Sequence, residues 1–225
     1  MRKKPRYDYY FRILLLVLAV TILISSFINF KISTVNMKVF IISIIAGCVL
    51  STMTISGDSS SIGMTDSVAA FIFIFFGKEA VIFFTLITTV ISYILNKKLF
   101  IRDKDNHKLI FNSAMLVIAA YSASSVLQLI SMSRFQYNLA ISIDSIIFVF
   151  TSLFMNLFIF ITDFRIGEGK WMLFSNDDIN LLGLNFSLSS ILSIIQCMAY
   201  KSSGILGLVL VFVSLIVIQL CLALY

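Results

Sequence analysis

Few side chains in this sequence could do chemistry, and their spacing does not assemble them for it. The single histidine, His107, lies in the run Arg102-Asp103-Lys104-Asp105-Asn106-His107-Lys108, whose alternating charges describe a solvated connector. Asp103 and Asp105 have no third carboxylate or imidazole at ligand spacing to complete a metal cage. Cys48, Cys197 and Cys221 each fall inside an apolar run with no C-x-x-C pair, and read as small buried hydrophobes. No phosphate-binding glycine loop, zinc-protease helix or nucleophile elbow occurs. The expectation is a protein that is not an enzyme, with no catalytic residue, no metal and no cofactor.

Polar residues inside apolar stretches say more, because each is costly in lipid unless it faces protein or water. Asp144, within Ser142-Ile143-Asp144-Ser145, is either a carboxylate near an interface or a buried acid that pairs, binds a ligand or titrates. Between 108 and 130 the chain carries Asn112, Ser113, Tyr121, Ser122, Ser124, Ser125 and Gln128. Ser113, Tyr121, Ser125 and Gln128 recur close to a helical period. Such a stripe either joins helices by hydrogen bonds or lines a small-molecule cavity. Asn156 stands alone among Phe and Leu and reads as an interhelical hydrogen-bonding group. The candidate ligand-binding set is therefore Asn112, Tyr121, Ser125, Gln128, Asp144 and Asn156. The Gly- and Ser-rich stretch 56–66 is an ordinary surface loop or, if it re-enters the membrane, a cavity wall.

The elements that must position these residues are apolar helices. The 225 residues are 60% hydrophobic and 12% charged, with a mean hydropathy of +1.03. A soluble core cannot hide that much apolar surface, and the polar connections are too short to fold alone. Continuous apolar runs also disfavour a transmembrane barrel, whose strands alternate and are about 10 residues long. The fold class expected is all-α: one polytopic membrane bundle over 1–225. Its eight transmembrane helices lie near 11–30, 38–54, 60–76, 79–96, 108–130, 139–162, 182–199 and 204–224. The third is short and ends in a corner at Gly77, and Gly204 and Gly207 are read as permitting close packing. The first run follows basic residues but lacks a cleavage site, so it reads as a retained signal-anchor.

The charge of +6 is an orientation signal and not a nucleic-acid footprint. With a cytoplasmic amino terminus, the inner side holds Arg2, Lys3, Lys4, Arg6, Arg12, Lys97, Lys98, Arg102, Lys104, Lys108, Arg165 and Lys170. Only Lys31, Lys38, Lys78, Arg134 and Lys201 remain outside, 12 cations against 5. Tyr9, Tyr10, Phe11 and Trp171 stand where aromatic residues anchor helices at an interface.

Four local features carry a family resemblance. The stretch Ser67-Val68-Ala69-Ala70-Phe71 leads through Phe76-Gly77-Lys78-Glu79-Ala80; a basic loop leads into Phe111-Asn112-Ser113-Ala114; Asn156 interrupts an apolar helix; and Gly204-Ile205-Leu206-Gly207 opens the last one. In these the chain resembles the amino-terminal multi-helix membrane domain of bacterial HD-GYP and GGDEF cyclic-di-GMP signalling proteins, although Lys78 stands where a proline commonly follows the corner glycine. The resemblance implies a sensory module of the bacterial plasma membrane, both termini cytoplasmic, relaying to a cytoplasmic signalling output. Neither an HD pair nor a GYP motif occurs, so no phosphodiesterase activity is implied. The helix–corner–helix pattern is also similar to the substrate-binding membrane subunit of energy-coupling-factor vitamin transporters, which implies a small-molecule ligand; the first helix lacks that family's A-x-x-x-A surface. The partners expected are the lipid bilayer, a cytoplasmic output and a small molecule, with no nucleic acid.

Overall fold

A backbone in lipid would have to satisfy its own polar groups, and helices account for nearly all of the described residues. The computed structural model describes residues 7–31, 36–52, 55–56, 61–62, 64–99, 106–130, 137–172 and 174–224. The charged run from Arg102 to Asp105 and the centre of the 56–66 stretch lie outside the described residues, as does the His107 side chain. The helices are α1 (Tyr7–Asn29), α2 (Met37–Thr52), α3 (Thr65–Phe76), α4 (Lys78–Leu99), α5 (Asn106–Ile130), α6 (Tyr137–Glu168) and α7 (Asn176–Leu224). Between α2 and α3, β1 (Ile55–Ser56) pairs antiparallel with β2 (Ser61–Ile62). Five of the helices, α1 and α4 to α7, are long and apolar enough to cross a membrane.

Capping explains where the elements depart from the boundaries expected. α7 starts at Asn176, earlier than 182, because Ser175 and Asp178 cap it reciprocally: Ser175 Oγ accepts from the Asp178 amide at 3.1 Å, and Asp178 Oδ2 accepts from the Ser175 amide at 3.1 Å. α6 continues to Glu168, where the Gly169 amide turns back to Arg165 O at 2.9 Å. α3 begins at Thr65, because the residues from 61 pair as β2.

Two single residues turn the chain between helices. Gly77 (φ 87°, ψ −175°) joins α3 to α4, and Gly204 (φ 59°, ψ −141°) breaks the 49-residue α7. Both lie in backbone territory that only glycine occupies at low cost. Beyond the second corner, a Cβ placed on Gly207 would meet Ala199 O at 2.5 Å. Eight residues of straight helix would separate those positions by about 12 Å. The segment after Gly204 therefore starts against the turn that precedes it, so Gly204 makes the corner and Gly207 the close approach.

Contacts between helices fix the register. α3 and α6 run antiparallel, pairing at Phe73–Phe148 (ring centroids 5.3 Å) and Asp66–Ser152 (3.4 Å). α3 and the first half of α7 run together, touching at Ser67–Gln196 (3.1 Å) and Phe75–Tyr200 (4.9 Å), and so bring both glycine corners to one end. At the other end, the start of α1 meets the end of α6 at Arg12–Asp163. α2 lies along α4 and receives Gln219 of the last segment at Leu50 O (3.0 Å).

One consequence concerns the short helices. At 1.5 Å per residue, α2 (16 residues) and α3 (12 residues) reach about 24 and 18 Å, less than a ~30 Å hydrocarbon core. Asp66 is level with Ser152, about 16 Å of helix short of Asp163, and Ser67 is level with Gln196, about 30 Å from the start of α7. The connection carrying β1 and β2 thus ends partway down the bundle, with β2 against α7. The two-stranded pairing satisfies backbone groups of this connection.

Candidate functional site

Of the residues singled out from sequence, Tyr121 and Ser125 are brought together by a partner from the glycine corner. Lys78, first residue of α4, donates from Nζ to Ser125 Oγ at 2.9 Å and stands 3.6 Å from the centre of the Tyr121 ring. Ser125 Oγ donates in turn to Tyr121 O at 2.8 Å. The cluster ties α4 to α5. Asn112 and Gln128, on the same helix, are exposed. Asp144 is half-buried on α6, and Asn156 Oδ1 is buried with no hydrogen-bond partner among the described residues. The six candidates therefore do not converge on one place.

A different polar group does converge, at the level of the half-depth connection. Asp66 and Ser67 open α3. Ser152 of α6 donates to Asp66 Oδ1 at 3.4 Å, and Gln196 Nε2 of α7 donates to Ser67 Oγ at 3.1 Å. One turn earlier on α7, Ser193 donates to Ser145 Oγ at 3.0 Å. Ser67, Ser145, Ser193 and Gln196 are fully buried, and Gln196 Oε1 has no hydrogen-bond partner among the described residues. The seam continues along one face of α7 through Ser189 and Asn185 (3.2 Å apart) to Asp178, all buried. This is a line of hydroxyl and amide groups running between two carboxylates, Asp66 and Asp178.

Sequence reading missed this seam, although a signal was present: Asn185, Ser189, Ser193 and Gln196 recur at intervals of four, four and three, a helical stripe like that of α5. Asp66 falls at the end of the Gly- and Ser-rich stretch 56–66, where the sequence does not show which helices it will face.

An ion pair lies outside the seam. Arg12 donates through Nε to Asp163 Oδ1 at 2.9 Å and through Nη2 to Oδ2 at 2.8 Å, with its guanidinium 5.4 Å from the Phe111 ring centre. This two-point contact, with Asp163 buried, fixes α1 to α5 and α6 at the end remote from the corners. Arg12 had been counted from sequence only as an orienting charge.

Comparison with known protein families, with curated proteins and with solved structures finds no match to this chain. The seam must therefore be read from its own chemistry. It offers a carboxylate, hydroxyls that both donate and accept, and an amide oxygen with unused accepting capacity. Groups of that kind suit a small polar solute or a cation better than a hydrocarbon. Among the described residues no three His, Cys, Asp or Glu side chains lie close enough to hold a metal ion together.

Proposed function

We propose that the chain is a multi-pass membrane input module whose responsive element is the polar seam between α3, α6 and α7. The observation that carries this reading is the fully buried Gln196, bonded to Ser67 beside Asp66 and holding one amide oxygen in reserve. A buried polar group is costly when unsatisfied, so a small polar solute accepted there would favour one helix packing over another. Both arms of the seam, α3 and the first half of α7, end at a glycine corner. A shift of either arm would turn α4 or the last segment, and the last segment would pass the change to a cytoplasmic output.

The topology that fits is six full crossings, by α1, α4, α5, α6 and the two halves of α7, with α2 and α3 forming a pair that enters and leaves on the same side. It refines the eight crossings expected from sequence while keeping an even path: both termini lie inside, with the 12 cations. Labelling of single cysteines in intact cells tests it. Positions 104 and 170 should be protected from an impermeant reagent, and position 134 should react.

A second reading shares the seam and changes its output. Six crossings and a short pair also suit a small-molecule-binding subunit of a transporter. Both readings expect a small polar molecule to copurify with the wild-type protein and to be lost in Gln196→Leu, which mass spectrometry of the denatured protein reads directly. Equal recovery from the two proteins would reject the seam as the binding element. Cross-linking then separates the readings: a soluble signalling protein on the tail supports the input module, and an ATP-hydrolysing membrane complex supports the transporter subunit.

A further inference from the structure

The lipid-facing side of α6 carries a feature that neither the seam nor the corners use. Phe150, Phe154 and Phe158 recur every four residues, are all more than half exposed, and stack in sequence with ring centroids 6.2 and 6.5 Å apart and planes within 16°. Exposed phenylalanine needs no explanation in lipid, but a stacked ladder forms a continuous wall. Two hollows, in successive stretches of α6, lie against it. One, of about 270 Å³, is closed on its far side by Leu182 and Phe186 of α7; the other, of about 660 Å³, runs from Phe158 past Thr162 to Arg165 and Trp171.

The charged end of this trough is specific. The Arg165 guanidinium lies 3.4 Å from the centre of the Trp171 ring, and both side chains are exposed. Among the described residues Arg165 makes no ion pair, including with Glu168 one turn on, and Lys170, five residues later, is also exposed. Phe150 and Arg165 are separated by about 22 Å of helix, which matches half the thickness of a bilayer with its head groups.

We infer that the trough along α6 is a binding site for one anionic phospholipid, its phosphate held by Arg165 beside Trp171 and one acyl chain lying along the phenylalanine ladder. Charge complementarity selects the occupant: an apolar channel of one-leaflet length ends in cations placed at head-group depth. Arginine matches phosphate through two parallel N–H donors, and tryptophan is favoured at that depth. The site is independent of the polar seam, so failure of one reading leaves the other standing.

The test measures the unfolding temperature of the detergent-solubilised full chain with added phosphatidylglycerol, phosphatidylcholine or inorganic phosphate. Phosphatidylglycerol should stabilise at concentrations about fivefold lower than phosphatidylcholine, the preference expected from one basic residue near a head group. Phosphate alone should do nothing. Arg165→Gln should abolish the preference, Arg165→Lys should keep part of it, and Lys38→Gln on α2 should leave it intact. Equal action of the two lipids, an effect of phosphate by itself, or an unchanged preference in Arg165→Gln would each overturn the proposal. Should Arg165→Gln fail to fold, a photoreactive phosphatidylglycerol on the wild-type protein decides: labelling within 150–171 supports the site, and labelling spread over the other helices refutes it.

Discussion

At Gly77 and at Gly204 the chain turns between two helices through one residue, with similar backbone angles, yet the turns are held by different means. The first is held from outside: Lys78, the residue after the glycine, reaches α5 and spends its charge on Ser125 and the Tyr121 ring. The second is held from within, because the absence of a side chain on Gly207 lets the last segment seat against the Ala199 carbonyl. A polar tether can yield by degrees as its atoms separate. A backbone contact at van der Waals distance cannot, since overlap rises steeply. The difference marks the Gly77 corner as the one able to adjust and the Gly204 corner as the rigid one.

The largest effect should come from Gly207→Leu. Its side chain would be driven into the Ala199 carbonyl, which cannot swing aside, and the cost should exceed the usual 1–3 kcal/mol of overpacking. Little monodisperse protein is expected, and a variant that purifies and melts like the wild type would dismiss the close approach as the brace. Next come Gly77→Ala and Gly204→Ala. Each forces a side chain into a glycine conformation at about 1–3 kcal/mol, visible as a lowered unfolding temperature. If the corners differ as described, Gly77→Ala should also change protease sensitivity at the other end of α4, whereas Gly204→Ala should only destabilise.

Lys78→Met keeps the length of the side chain and removes its charge. A loss of about 1 kcal/mol is expected, the scale of one cation–aromatic contact. No loss would reduce the tether to a coincidence of packing. The smallest change in stability belongs to Gln196→Leu, within about 1 kcal/mol and of either sign, because it removes a hydrogen bond and an unsatisfied acceptor together. Its consequence should fall on ligand recovery instead. A large drop in unfolding temperature would make Gln196 structural glue and not a binding group.

Much of the helical layout was legible from composition and breaks in hydropathy. The corner at Gly77 could be placed because a short apolar run meets Gly-Lys-Glu, and the segment boundary at Gly204 because glycine recurs after a polar tetrad. The site was less legible. The α5 stripe has the right period, but its period says only that the residues share a face, not what that face meets; Tyr121 and Ser125 meet Lys78, while Gln128 is exposed. The equivalent stripe on α7 became significant only when Ser67 and Ser145, distant in sequence, were found opposite Gln196 and Ser193.

What the residue order settled by itself is local: helix where apolar side chains run on without proline or turn residues, a corner where glycine interrupts them, and cations gathered on alternate connections. Those follow from short-range forces and from the solvent. Depth was decided only by tertiary contact. That α2 and α3 stop partway down the bundle, and that Asp66 faces Ser152, depends on which helices lie alongside and in what register. Hydropathy is blind to register, because a side chain in lipid and one against a neighbouring helix are equally apolar.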